Sequence, residues 1–265
     1  MNIYRPSLLW LLSLLPSQFA LADDLCLATA KLNFTGPEKN VVCRSEIPEL
    51  LNLKLDFKGA FGPFPIVDSE GKEQLLDTCK KYFQYVPHFG GACTSRADCW
   101  AEFSVYMRTC GTLLVIEGAK KPIKSYLGKN PLSLKLLPPT VLPNGPTSDN
   151  QDELEVAAAN GESAESFLHS LESSDKKFDR KKYLEGWEVI LHARADFDAD
   201  GIEDALVSVS YVYDRYLGYS LGILKRASKH GPAKWTDFAE FDWQKPNSSF
   251  NRDAQQQASP AVGAR

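Results

Sequence analysis

Four aspartates crowd into the stretch Asp196-Phe197-Asp198-Ala199-Asp200-Gly201-Ile202-Glu203-Asp204. Calcium is a hard cation that takes roughly six to eight oxygen ligands, and a tight loop supplies them when carboxylates recur at alternate residues before a sharp turn. Asp196, Asp198 and Asp200 have that spacing, Gly201 permits the turn, the Ile202 carbonyl is placed to face an ion, and Asp204 closes the shell. Carboxylates packed together without a cation repel one another, which favours occupancy. The twelfth position counted from Asp196 is Val207, where the helical calcium hand needs a bidentate glutamate, so this is not that motif. The apolar side chain of Ile202 is expected to pin the loop to a neighbouring sheet.

Gly218-Tyr219-Ser220-Leu221-Gly222 spells the nucleophile elbow of serine hydrolases. That motif works only as a sharp strand-to-helix turn, with an acid and then a histidine downstream. His230 is the sole histidine after Ser220, and the residues that follow Ser220 read as a strand. A hydrolase using Ser220, or using the acidic loop as a carboxylate pair, is thus the rival to a non-enzymatic binding protein. The loop aspartates are better explained as ligands, with Glu203 pointing away from them. His88, Cys93, Cys99 and Cys110 match zinc ligands by type, but no Cys-x-x-Cys pair is present. His169 and His192 are isolated and expected at the surface.

These residues need a scaffold, and the apolar periodicity describes one. From Trp187 the period is two, with Trp187, Val189, Leu191, Ala193 and Ala195 on one side and Glu188, His192 and Arg194 on the other. Ala205, Val207, Val209, Tyr211 and Tyr213 repeat the pattern after the loop, Tyr219 to Arg226 supplies a third run, and Trp235 to Trp243 a fourth. An antiparallel meander follows, with the acidic loop as its first connection. Upstream, Leu76, Cys79, Phe83 and Val86 form a helical stripe within Ser69 to Val86, and Cys99, Phe103, Tyr106 and Cys110 form another from Asp98 to Cys110. Ser95 with Asp98 caps the second helix, Gly111 ends it, and Thr112 to Ile116 reads as a short buried strand. Ser163 to Leu171 looks helical, and the basic run Lys176 to Lys182 reads as a solvated face.

The first twenty-two residues carry one positive charge at Arg5, an apolar run from Leu8 to Leu15 and the small-x-small triplet Ala20-Leu21-Ala22. That is the layout of a cleavable secretory signal, too short in its apolar part to span a bilayer. Cys26 follows Asp23-Asp24-Leu25, which argues against a lipid-anchored N-terminus of the lipoprotein kind, and no later segment is apolar for long enough to span. A periplasmic or secreted soluble protein is expected. All six cysteines lie in the mature chain, and an even number in an exported chain points to disulfides, here Cys26 with Cys43, Cys79 with Cys110, and Cys93 with Cys99. The formal net charge of −4 argues against nucleic acid or anionic lipid as the main partner. A protein or envelope component is expected instead.

Every cysteine precedes residue 111, and the stretch from Gly128 to Asp152 is rich in Pro, Asn, Gly and Ser. The fold expected is α+β: a signal peptide at 1–22, a cystine-rich, mainly helical N-terminal module at 23–128, a linker at 129–152, an antiparallel β-meander module with the calcium loop at 153–245, and a disordered tail at 246–265.

The nonapeptide from Asp196 to Asp204 resembles the calcium loops of FG-GAP and VCBS-type repeats, in which Asp-x-Asp-x-Asp-Gly-x-x-Asp joins two strands of an exported protein. The resemblance covers those residues and their flanking strands, and implies a calcium ion held between them. One copy is present, whereas propellers of that kind need several. Separately, Cys26, Ala30, Glu38, Cys43 and Pro48-Glu49-Leu50-Leu51 resemble the N-terminal disulfide segment of small periplasmic lysozyme inhibitors. That likeness implies a muramidase partner whose cleft is plugged by a loop.

Overall fold

The computed structural model describes residues 24–36, 38–58, 62–68, 70–86, 96–128, 133–142, 151–170, 187–213 and 216–238. The expected signal peptide (1–22), the cap at Ser95, Cys93, the basic run from Lys176 to Lys182 and the tail (246–265) lie outside them.

The alternating C-terminal residues form one antiparallel sheet of β5 (Trp187–Ala195), β6 (Asp204–Tyr213), β7 (Tyr216–Lys225) and β8 (Lys234–Asp237) in that order. The chain is therefore α+β, with the meander as its largest sheet. Two small hairpins precede it: β1 (Cys26–Ala28) with β2 (Val41–Cys43), and β3 (Pro65–Val67) with β4 (Glu73–Leu75). The helices around them are α1 (Ile47–Leu50), α2 (Cys79–Tyr85), α3 (Arg96–Ala101) and α4 (Thr112–Gly118), then α5 (Gln151–Ala159) and α6 (Ala164–Ser170). A π-helical segment, Glu102–Gly111, joins α3 to α4 without a break.

In the N-terminal half the helices stand beside two short hairpins, and several local expectations are corrected. β4 occupies part of the stretch expected as one helix, and α2 begins only where the Thr78 hydroxyl caps the Lys81 N–H at 3.2 Å. Thr112 to Ile116 is helix, not strand. A short apolar run does not distinguish the two by period, and here Leu113 and Ile116 are buried as consecutive turns of a core helix. Gly111 does not end the helix but continues it with φ −60°. Its missing side chain serves packing, since a Cβ there would lie 2.8 Å from the Phe238 ring. Disulfides join Cys26 to Cys43 across the first hairpin and Cys79 of α2 to Cys110 of the π-helical segment. Cys99 is also disulfide-bonded.

The sheet is buried on both faces, and a single irregularity explains how. The β5–β6 register shifts between Leu191 and Ala193, leaving His192 as the extra residue of a β-bulge. Trp187, Val189 and Leu191 consequently pack with Leu137, Val141, Leu154 and Phe167 on one face. Ala193 and Ala195 fall on the other face, with Phe103, Leu113, Ile116 and the N-terminal residues. The expectation that all five residues share a face is corrected, because one inserted residue reverses every side chain beyond it.

The boundary expected between 23–128 and 153–245 is not a boundary between cores. Ala193, Phe197, Leu206, Leu221, Ile223 and Phe238 share one apolar cluster with Leu32, Val42, Tyr82 and Tyr106. Inside the expected linker, Leu137, Val141 and Leu142 are buried against the opposite sheet face, and α5 starts at Gln151. A proline-rich composition describes backbone irregularity, and apolar residues between the prolines decide whether such a stretch is exposed.

Candidate metal centre

The loop from Asp196 to Asp204 starts where β5 ends and folds on its own carboxylates. The Asp196 carboxylate accepts the N–H groups of Asp200 (3.0 Å) and Gly201 (2.9 Å). Asp204 Oδ2 accepts the Phe197 N–H at 2.9 Å, and Asp200 Oδ1 accepts that of Ile202 at 2.8 Å. The chain enters the left-handed region at Ala199 (φ 66°) and Gly201 (φ 86°), the latter being the turn that the glycine makes inexpensive. Phe197, 5 % exposed and part of the N-terminal core, anchors the loop. Ile202, expected in that role, is only partly buried.

A second segment straps the loop from outside. Lys120 and Asp196 exchange backbone hydrogen bonds at 2.8 and 3.0 Å, the Gly201 carbonyl accepts from the N–H groups of Ile123 and Lys124, and the Glu203 N–H donates to Lys124. Nothing local in residues 120–124 announces this contact. Glu203 turns away from the aspartates to accept hydrogen bonds from Arg194 and Ser125.

Within this frame Asp196, Asp198 and Asp204 each bring a carboxylate oxygen to within 4.8 Å of the others. Asp196 and Asp204 are buried and Asp198 is partly open to solvent. Asp200, expected as a fourth ligand, is outside that cluster; its Oδ2 and Asp198 Oδ2 both accept from Lys225 Nζ, the latter at 2.6 Å. Lys225 was not among the residues singled out from sequence. Counting outward from the Tyr213 and Tyr216 pair places it opposite Asp204, a signal that needs the hairpin register and not a motif.

The electrostatics single out Asp204. It has no exposed surface, and burial pushes its carboxyl up to about 7, against the Phe197 N–H that favours the charged form and with the charges of Asp198 and Asp200 raising it further. Its Oδ1 meets no hydrogen-bond donor among the described residues. A buried carboxylate oxygen without a donor costs several kcal/mol in principle, about 1–3 kcal/mol in measured proteins, unless the group is neutral or faces a cation. Asp200 sits below the usual carboxylate range because Lys225 hydrogen-bonds to it. Burial opposes the Lys225 charge, but its bonds to Asp198 and Asp200 outweigh this and raise its pKa.

No family model, curated protein or solved structure matches the chain. Its chemistry therefore has to be read from its own residues.

The other candidate sites separate cleanly. Ser220 lies within β7, paired with Val209, and its hydroxyl donates to the Val141 carbonyl at 2.7 Å. There is no strand-to-helix turn, so the nucleophile-elbow geometry is absent. Gly222 of the same pentapeptide is needed because a Cβ would meet the Thr236 carbonyl and the Trp235 ring at 2.5 Å. The zinc reading loses Cys99 and Cys110 to disulfides, while His88 and Cys93 lie outside the described residues. Asp24, Cys26 and Cys43 also lie close together, but both sulfurs are spent in a disulfide. His169 is exposed, as its isolation suggests. His192 is not: the bulge turns it inward to 2 % exposure, its Nε2 pairs with Ser208 Oγ at 2.8 Å, and burial, aided by the Arg108 charge, drives its pKa down to about 3.

Proposed function

We propose that this chain is an exported, non-enzymatic binding or envelope-associated protein that holds one structural calcium ion in the loop from Asp196 to Asp204. The observation that carries this reading is Asp204 Oδ1, a fully buried carboxylate oxygen beside two other carboxylates and without a donor among the described residues. A cation answers that arrangement. The donor set is all oxygen, which suits calcium or magnesium rather than thiolate- and imidazole-preferring metals. A loop built from side chains on alternate residues suits the larger, geometrically tolerant ion, since magnesium demands a tight octahedron and gives up water reluctantly. The resemblance of the nonapeptide to FG-GAP and VCBS-type loops points the same way. Two disulfides fit an oxidising compartment, and among the described residues no helix is long and apolar enough to cross a membrane.

The ion's role in this reading is architectural. Phe197 belongs to the N-terminal core, Asp204 opens β6, and the strap at Lys120 to Lys124 lies across both, so an ion at the aspartates ties three parts of the chain together. With no bidentate glutamate, affinity falls in the class of extracellular modules, on the order of 10⁻⁴ to 10⁻³ M. The test is a thermal melt of the intact exported chain in EGTA, calcium and magnesium, repeated for Asp198→Ala. Calcium raises the melting temperature of the wild type only, magnesium much less. Identical melts for both proteins in all three conditions overturn the reading. The partner, a protein or envelope component, is sought by co-purification from the source envelope with calcium and with EGTA.

A further inference from the structure

We propose that Lys225 is the resident counter-cation of the acidic loop, and that a divalent ion binds by taking Asp198 and Asp200 from its ammonium. This inference rests on the calcium reading above and adds to it how the site is held when no ion is present and what sets its affinity.

The register makes the geometry unusual. Lys225 is the last residue of β7 and sits directly opposite Asp204 of β6, with Lys234 of β8 on its other side. Facing pairs of opposite charge in a sheet ordinarily meet each other. Here the ammonium passes Asp204 by and bridges Asp198 Oδ2, at 2.6 Å, to Asp200 Oδ2. The carboxylates therefore divide into an inner set, Asp196, Asp198 and Asp204, and an outer pair, Asp198 and Asp200, with Asp198 common to both. A single exposed ion pair would mean little. An ammonium held by two carboxylates, one of which belongs to a buried cluster, is a cation already seated at the edge of a cation site. A lysine ammonium has three donors and no acceptor, so it serves these oxygens much as a metal would, but with one charge and on a tether.

Two consequences follow from charge and ligand number. While Lys225 remains, an entering ion shares Asp198 with a positive group and lacks Asp200; once Lys225 leaves, Asp200 joins the aspartates at alternate positions. The ammonium thus lowers the affinity of the site, and it also keeps the loop folded without metal by neutralising the outer carboxylates. The change on metal binding is concentrated in the Lys225 side chain, since the turn itself is already fixed by the Asp196, Asp200 and Asp204 hydrogen bonds to backbone.

Calorimetric titration of calcium into the intact exported chain tests this with wild type, Lys225→Met and Lys225→Arg. The expected result is about tenfold tighter binding for Lys225→Met, equivalent to ~1.4 kcal/mol, with Lys225→Arg close to wild type because the charge is kept. Binding by Lys225→Met alone also supports the proposal, showing a site that the lysine holds shut. Equal affinity in wild type and Lys225→Met overturns the exchange while leaving the calcium site standing; weaker binding by Lys225→Met does the same, since it makes the lysine a helper. No binding by any of the three overturns both readings. Should Lys225→Met fail to fold, the wild type decides: reductive methylation followed by peptide mass spectrometry is expected to modify Lys225 several-fold faster with calcium than with EGTA, Lys229 and Lys234 being unchanged. A Lys225 rate indifferent to calcium overturns the proposal.

Discussion

The same sheet carries two buried polar regions that solve the problem of burial in opposite ways. At the end of β5 the acidic loop gathers Asp196, Asp198 and Asp204 and leaves Asp204 Oδ1 without a donor among the described residues. Behind the bulge, His192 is sealed against Ser208, while Arg108 spans Glu188 and Ser210 and lies 4.8 Å over the Phe103 ring. Burial disfavours the charged form in both places, driving Asp204 up to about 7 and His192 down to about 3. The imidazole can be neutral and hydrogen-bonded at once through Nε2, and although its Nδ1 meets no partner among the described residues, a neutral ring nitrogen is far less costly to leave so than a carboxylate. The carboxylates are complete only with a proton, an ammonium or a metal. A buried cluster of carboxylates, open to solvent at Asp198, is where a cation is to be looked for; a neutral imidazole sealed in the core is architecture.

The strongest way to break this contrast is to detach the loop from the core. Phe197→Ala removes a buried ring and is expected to cost about 3–5 kcal/mol in denaturant unfolding and to abolish the calcium response, because the loop then no longer holds its shape. A calcium shift that survives this substitution shows that the loop folds independently of its anchor.

The pH dependences of the two regions have opposite signs. His192 is harder to protonate folded than unfolded, so its contribution is present above its ordinary 6.5 and is lost as pH falls from there toward 3. His192→Gln is expected to flatten that acid limb in melts between those values. Asp204 keeps its proton better folded than unfolded, so without metal its contribution is lost as pH rises from its ordinary 3.8 through about 7. Asp204→Asn is expected to melt higher than wild type in EGTA above pH 7 and not to respond to calcium. An Asp204→Asn variant less stable than wild type in EGTA would mean that the carboxylate is already satisfied.

At about a hundred times its dissociation constant calcium is expected to add roughly 2.7 kcal/mol to the wild type, read as a shift in denaturant midpoint. The smallest effect sharpens the other side of the contrast: Ser208→Ala, which removes one hydrogen bond from His192, is expected to cost about 1 kcal/mol and to leave calcium affinity unchanged. A change in affinity there would link two regions that the geometry keeps apart.

The loop was legible in the sequence because its parts are neighbours. Asp196 and Asp198 at alternate positions, Gly201 at the turn and Asp204 at the strand entry are all within nine residues, so spacing describes their grouping, while Asp200, expected with them, is drawn to Lys225 instead. The meander and the stripes carrying Cys79 and Cys110 were legible for the same reason, as local periodicities. The inward turn of His192 was not: its isolation suggested a surface residue, and only the register shift with β6 reverses it. Thr112 to Ile116 and the proline-rich stretch at 137–142 failed similarly, because short apolar runs carry no period long enough to distinguish strand from helix or linker from core.

By itself, then, the sequence determined the acidic residues of the loop, the turn that presents them, the strands on either side and the cysteines available for pairing, all set by short-range sterics and hydrogen bonding. Only the tertiary structure decided that Asp204 is fully buried, that Phe197 rather than Ile202 anchors the loop, that Lys120 to Lys124 straps it and that Lys225 lies across its mouth. Those contacts join residues far apart in the chain, and they depend on strand register and on which face of the sheet each side chain meets, which the bulge at His192 sets and which local pattern does not encode.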